Sequence, residues 1–161
     1  MEYILDSDNL SETEKIGRML ARAIEKEQVI LLQGEMSAGK TTLTQSILRQ
    51  FGVEGYITSP TYTVVNEYES EEGEFFHFDL YRLESEEELY DIGFEEYIDR
   101  GLCIIEWPER ANDLFEQWDP NTLIKVSLQK KSTAENGRTI KVEAAPAFIE
   151  RLETFWKGQN L

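Results

Sequence analysis

Histidine and cysteine are nearly missing from this chain: His77 and Cys103 are the only ones in 161 residues. That excludes a disulfide framework, and it excludes zinc sites built from paired Cys and His ligands. Cys103 lies inside the apolar run L-C-I-I, where a thiol packs as a small hydrophobe. No apolar stretch approaches the roughly 20 residues that a membrane-spanning helix needs. Positive charge is scarce as well, with 16 Lys and Arg against 32 Asp and Glu for a net −16. From Glu67 to Asp99, fourteen acidic residues face Arg82 alone, a formal −13. Such a surface repels a phosphate backbone, so no direct, stable nucleic-acid binding is expected. It reads either as a solvated face or as a docking surface for a basic partner. The opening M-E-Y-I-L-D-S has neither a basic n-region nor an apolar h-region, so a cytoplasmic protein without a signal peptide is expected. The length and a 40% hydrophobic content fit one domain over residues 1–161.

Against these absences stands one dense motif, V-I-L-L-Q-G-E-M-S-A-G-K-T-T from Val29 to Thr42. Val29 to Leu32 has the length of a buried strand. Gly34, Gly39, Lys40 and Thr41 then complete G-x-x-x-x-G-K-[ST], and Leu43, Ile47, Leu48 and Phe51 follow at helical spacing. Strand, loop and helix stand in the order that a phosphate-binding loop requires. Glycines let the backbone approach closely, so the N–H groups from Gly34 through Glu35, Met36, Ser37 and Ala38 to Gly39 can nest phosphate oxygens. The helix starting near Gly39 adds the positive end of its dipole. Lys40 is placed to reach the β- and γ-phosphates, the Thr41 hydroxyl to ligate Mg²⁺, and Thr42 to continue the cradle.

Elsewhere the pattern predicts a strand at Glu2–Leu5 and an amphipathic helix through Ile16, Met19, Leu20, Ala23 and Ile24, with Ser11 and Glu14 at capping-box spacing. Gly52 and Gly55 close the helix after the loop. V-V-N-E-Y and F-F-H-F-D-L-Y-R read as a hairpin around Glu71–Glu74, and Ser85 to Glu88 as a second capping box. Phe94–Ile98 reads as a short helix, Leu102–Ile105 as a buried strand, and Pro108 as the first turn of a helix through Phe115. Thr122–Leu128 and Thr139–Glu143 form a second hairpin around Asn136-Gly137, and Pro146 opens a last helix. The whole predicts a three-layer α/β domain of the P-loop NTPase kind, with a mixed, mainly parallel sheet and antiparallel hairpins.

A bound nucleotide brings Mg²⁺, and Mg²⁺ needs a carboxylate near Thr41. Glu106 ends the apolar strand L-C-I-I, and Asp79 lies in strand context within F-F-H-F-D. One can hold the metal while the other orients the attacking water; spacing leaves the assignment open. Arg82 is placed either to neutralise Asp79 or Glu84 or to contact phosphate. Lys40 and Arg82 are the evident local sources of positive charge. His77 alternates with Asp79 and reads as a structural, hydrogen-bonding histidine. Trp107 stands beside Glu106, positioned to stack on a base or cover the site.

The combination G-E-M-S-A-G-K-T-T-L, S-P-T-Y-T, H-F-D-L-Y-R and E-W-P-E resembles the bacterial TsaE family, over about Ile4 to Val142. These are small ATPases of tRNA N6-threonylcarbamoyladenosine synthesis. The resemblance implies ATP–Mg²⁺ binding by Gly34 to Thr42 and Mg²⁺ coordination by Thr41 and Glu106. It also implies roles in activity for Lys40, Asp79 and Trp107, a loop carrying Thr61 and Tyr62 near the γ-phosphate, and the TsaD–TsaB heterodimer as partner. One departure is visible: Ser37 stands where the family commonly has Gly, so altered loop geometry or nucleotide affinity is expected, with binding retained. A small-molecule kinase is the competing reading, though the eight arginines include no Arg-rich lid segment. A nucleotide-gated binding module is a third. A guanine-specific GTPase is disfavoured, because no N-K-x-D motif is present.

Overall fold

The computed structural model describes residues 1–60 and 63–159. Seven strands form one sheet in the order β1-β7-β6-β2-β5-β4-β3. In chain order they are β1 (Glu2–Ser7), β2 (Val29–Gln33), β3 (Val65–Ser70), β4 (Gly73–Asp79), β5 (Leu102–Glu106), β6 (Leu123–Lys130) and β7 (Arg138–Glu143). The helices are α1 (Leu10–Ala23), α2 (Lys40–Gln50), α3 (Glu87–Asp91), α4 (Phe94–Arg100), α5 (Asn112–Glu116) and α6 (Pro146–Gln159). A 3₁₀ turn over Pro108–Ala111 leads into α5.

The sheet centre is parallel, β6 with β2, β2 with β5, and β5 with β4. Its flanks are antiparallel, where β7 and β1 extend one side and β3 the other. The two expected hairpins, β3–β4 and β6–β7, therefore lie on opposite flanks. Burial on both faces explains why β2 and β5 are near-continuous apolar runs. Helices α1, α2 and α6 cover one face over Ile30, Leu32, Ile104 and Val126. Helices α3, α4 and α5 cover the other over Leu31, Phe76, Phe78 and Ile105. This is the three-layer α/β arrangement.

Several local readings shift. Helix α1 begins at Leu10 with Asn9 as its cap, not Ser11: Asn9 is extended, and its Oδ1 accepts from Glu12 N–H at 2.9 Å. Glu12 accepts from Asp8 N–H at 2.6 Å, so the capping contacts sit two residues earlier than Ser11 and Glu14. Helix α3 has no side-chain cap at all; Ser85 contributes its backbone carbonyl to Glu88 N–H at 3.3 Å. Strand β4 stops at Asp79, so Leu80, Tyr81 and Arg82 belong to the turn that follows. The β6–β7 strands run further than expected, and Asn136-Gly137 closes a longer loop in which Lys131 N–H bonds Gly137 O at 3.0 Å.

Candidate phosphate-binding site

Strands β2, β5 and β4 end side by side; two backbone hydrogen bonds tie those ends together, and a third ties β4 to the residue before β3. Trp107 N–H reaches Leu32 O at 3.3 Å, Leu80 N–H reaches Glu106 O at 3.0 Å, and Asp79 N–H reaches Val64 O at 2.9 Å. Parallel register sets Asp79 opposite Glu106, so both carboxylates stand at the carboxyl edge on one side of the sheet. Carboxyl edges of parallel strands are where α/β folds bind ligands.

The loop from Gly34 to Gly39 crosses that edge and delivers Lys40 at the start of α2. Gly39 has φ 107°, which a side chain adopts only under strain. At Gly34 the reason is space: an added Cβ would stand 2.9 Å from Leu128 O. Glu35 and Met36 are exposed on the rim, and Ala38 is buried with its N–H on Glu35 O at 3.1 Å. A cavity of about 210 Å³ opens over the loop, lined in part by Ser37, Gly39, Lys40, Thr41, Thr42 and Glu106.

Lys40 is only 6% exposed, which is unusual for a lysine. Its Nζ donates to Gly34 O at 2.6 Å and lies 3.9 Å from the centroid of the Trp107 indole. Burial pushes its pKa down, and the carboxylates of Glu106, Asp79 and Glu109 oppose that shift. Trp107 holds its place with φ 58° and ψ 48°, a left-handed backbone rarely adopted by a bulky residue and disfavoured again by the following Pro108. Non-glycine strain of this kind collects at functional sites. Tyr81 packs against the indole at 4.9 Å between centroids, tilted by 54°, and Arg110 lies over Tyr81 at 5.6 Å.

Ser59 links the carboxylates: its hydroxyl lies 3.2 Å from Asp79 Oδ2 and 3.4 Å from Glu106 Oε2. Asp79 Oδ1 accepts from Tyr81 N–H at 3.0 Å. Arg82 is exposed in the turn after β4 and does not line the loop cavity. Thr61, and Tyr62 beside it, lie outside the described residues. Ser37 adopts φ 61°, so the serine does take a positive φ.

Sequence reasoning missed the side chains that hold the loop. Arg138, 7% exposed at the start of β7, donates from Nε to Ala38 O at 2.6 Å and from Nη2 to Ser37 O at 3.3 Å. Lys130, at the end of β6, donates to Ser37 Oγ at 2.7 Å. These cations surround the loop of a strongly acidic chain, in addition to Lys40. No local signal marks them, since their partners lie 93 to 101 positions away.

The donor set suits Mg²⁺ carried by a phosphate ligand. Thr41 lines the cavity together with Glu106, and both offer hard oxygen donors. Among the described residues no cluster of three or more His, Cys, Asp and Glu could hold a metal unaided. Mg²⁺ needs none, because phosphates and water supply most of its six ligands.

Loop, buried lysine and sheet order together define a P-loop NTPase-like fold. A crystal structure of YdiB from Bacillus has the same fold, with a TM-score of 0.74 at 22% identity over 99% of this chain and 97% of that one. More specifically, the chain belongs to the TsaE family, whose model, "Threonylcarbamoyl adenosine biosynthesis protein TsaE", matches residues 7–140. It is 37% identical over 158 residues to the tRNA threonylcarbamoyladenosine biosynthesis protein TsaE of Rickettsia felis, covering 91% of this chain and 90% of the relative. To the protein of that name from Synechocystis it is 40% identical over 122 residues, 73% of this chain and 76% of the relative.

Proposed function

We propose that this protein binds and hydrolyses ATP with Mg²⁺ as an accessory factor in N6-threonylcarbamoyladenosine formation at position 37 of tRNA, acting on the TsaD–TsaB heterodimer. The observation that carries the reading is Lys40, buried at the cavity mouth between Gly34 O and the Trp107 indole while facing Glu106 and Asp79. A lysine whose charge is disfavoured by burial gains most from an anionic ligand, and ATP supplies one. Gly34 to Thr42 would cradle the phosphates. Thr41 and Glu106 would hold Mg²⁺, which neutralises charge on the β- and γ-oxygens when bound. Asp79, which accepts from Tyr81 N–H and lies within reach of the Ser59 hydroxyl, would then orient the water. Arg138 and Lys130 keep the loop backbone in its binding shape.

Phosphoryl transfer depends on positive charge around the γ-phosphate, and two carboxylates stand beside Lys40 here. The isolated chain therefore hydrolyses slowly, and a partner that adds a cation or orders the loop after Ser59 accelerates it. The exposed acidic residues of 67–99, among them Glu84, Glu87, Asp91, Glu95 and Glu96, offer a surface to a basic partner. The test is phosphate release from ATP with and without TsaD–TsaB, repeated with several of Glu84 to Glu88 changed to Gln. Stimulation lost on charge removal supports the reading. Absence of any stimulation contradicts it, and phosphate found on a small acceptor instead of in solution would identify a kinase. The prediction that this protein works in the cytoplasm fits a chain in which no described helix is long and apolar enough to cross a membrane.

A further inference from the structure

His77 is the one histidine, fully buried in β4, and none of the roles above uses it. Its Nε2 lies 2.7 Å from Glu106 Oε2. A carboxylate only accepts, so Nε2 carries the proton and donates. Nδ1 is enclosed and has no hydrogen-bond partner among the described residues. A second proton there would be a buried N–H with nothing to receive it, so the contacts select the tautomer with a bare Nδ1.

The register explains how the ring gets there. His77 pairs with Ile104 and Asp79 with Glu106, so His77 stands one pleat behind the two carboxylates on their side of the sheet. The polar contacts of Glu106 among the described residues, the His77 Nε2–H and the Ser59 hydroxyl whose one proton Asp79 shares, fall on Oε2. Oε1 accepts no hydrogen bond from a described side chain, and Glu106 lines the cavity.

We infer that His77 is a positioning residue for the metal site: its Nε2–H fixes Glu106 through Oε2 and presents Oε1 to Mg²⁺. This rests on the ATP–Mg²⁺ reading. Mg²⁺ tolerates little departure from octahedral geometry, so a carboxylate free to rotate binds it less well. Outer partners of ligating groups are commonly worth 10–100-fold in metal affinity.

The test uses the full chain with a fluorescent, non-hydrolysable ATP analogue and compares His77→Leu, which fills the volume without a donor, with His77→Gln, which keeps an N–H donor. His77→Leu raises the Mg²⁺ concentration at half-maximal binding about tenfold, while magnesium-free analogue affinity stays within about twofold and His77→Gln recovers most of the loss. An unchanged midpoint in His77→Leu, or equal losses in both variants, overturns the inference. A second measurement needs no variant. With a single histidine, ¹⁵N NMR of the wild-type ring is unambiguous. It shows a protonated Nε2 and a bare Nδ1, and the Nε2 signal moves when Mg²⁺ is added to the analogue complex. A proton on Nδ1, or an Nε2 signal indifferent to Mg²⁺, also overturns it. Failure of the wild-type protein to bind the analogue would sink the ATP reading instead, and the tautomer in the free protein would still judge the His77–Glu106 contact.

Discussion

The two faces of the sheet carry different kinds of side chain, although the same strands supply both. On β4, alternation sends Phe76 and Phe78 to one face and His77 and Asp79 to the other; on β5 it divides Cys103 and Ile105 from Ile104 and Glu106. The face under α3, α4 and α5 is aromatic. Phe78 meets Phe94 edge-on at 5.1 Å, and Phe94 stacks near Trp118 at 5.9 Å. Cys103 is buried there, and desolvation pushes its thiol up to about 12, so it is inert at neutral pH. The face under α1 and α2 buries Lys40, Thr44, His77 and Glu106. A period of two lets five or seven residues build a rigid apolar support on one side and a charged site on the other.

If that division is right, damage on each side should read out differently. The largest effect comes from the support. Phe78→Ala removes a fully buried ring and should cost about 3–5 kcal/mol of stability. Denaturant unfolding measures it, and the affinity of the folded fraction for an ATP analogue should be unaltered. A variant that lost nucleotide affinity while keeping its stability would break the division.

Lys40→Ala tests the other face. It removes a charge-assisted contact and should weaken ATP-analogue binding roughly hundredfold, with the loop still held by Arg138. A fluorescent analogue reads the loss, and unchanged affinity would remove Lys40 from the site. Within the same face, Glu106→Gln should shift the Mg²⁺ dependence of binding about tenfold, and more than Asp79→Asn does. The motive is that Glu106 lines the loop cavity together with Thr41, whereas Asp79 is not among the residues lining it. A larger shift for Asp79→Asn would exchange their roles.

The smallest effect is at Ser37. Its positive φ costs roughly 1 kcal/mol, and Ser37→Gly relieves that while losing the hydrogen bond from Lys130. The two nearly cancel, so thermal unfolding should move by less than about 1 kcal/mol equivalent. A loss well above that would show that the Lys130 contact outweighs the strain.

What could be read in the sequence was local. The phosphate loop, the buried strand ending on Glu106, the amphipathic α1 and the two hairpins each announce themselves within a dozen residues, because spacing and turn chemistry act over that range. The resemblance to TsaE supplied the assignment of Glu106 that spacing left open. The contacts that were not legible depend on strand order. Nothing near Arg138 says that β6, with which β7 forms the expected hairpin, flanks the loop strand. His77 was read as structural because its partner, Glu106, becomes its neighbour only when β4 and β5 pair. Asn9 displaced Ser11 as the α1 cap for a nearer reason: two polar residues competed, and the extended one won.

Every role proposed above depends on the polar face of the sheet binding ATP with Mg²⁺ at the loop after β2. Calorimetric titration of the wild-type chain with a non-hydrolysable ATP analogue, with and without Mg²⁺, tests it directly. The expected result is one saturable site whose affinity falls about tenfold or more when Mg²⁺ is withheld. No saturable heat, or equal affinity in both conditions, would contradict it.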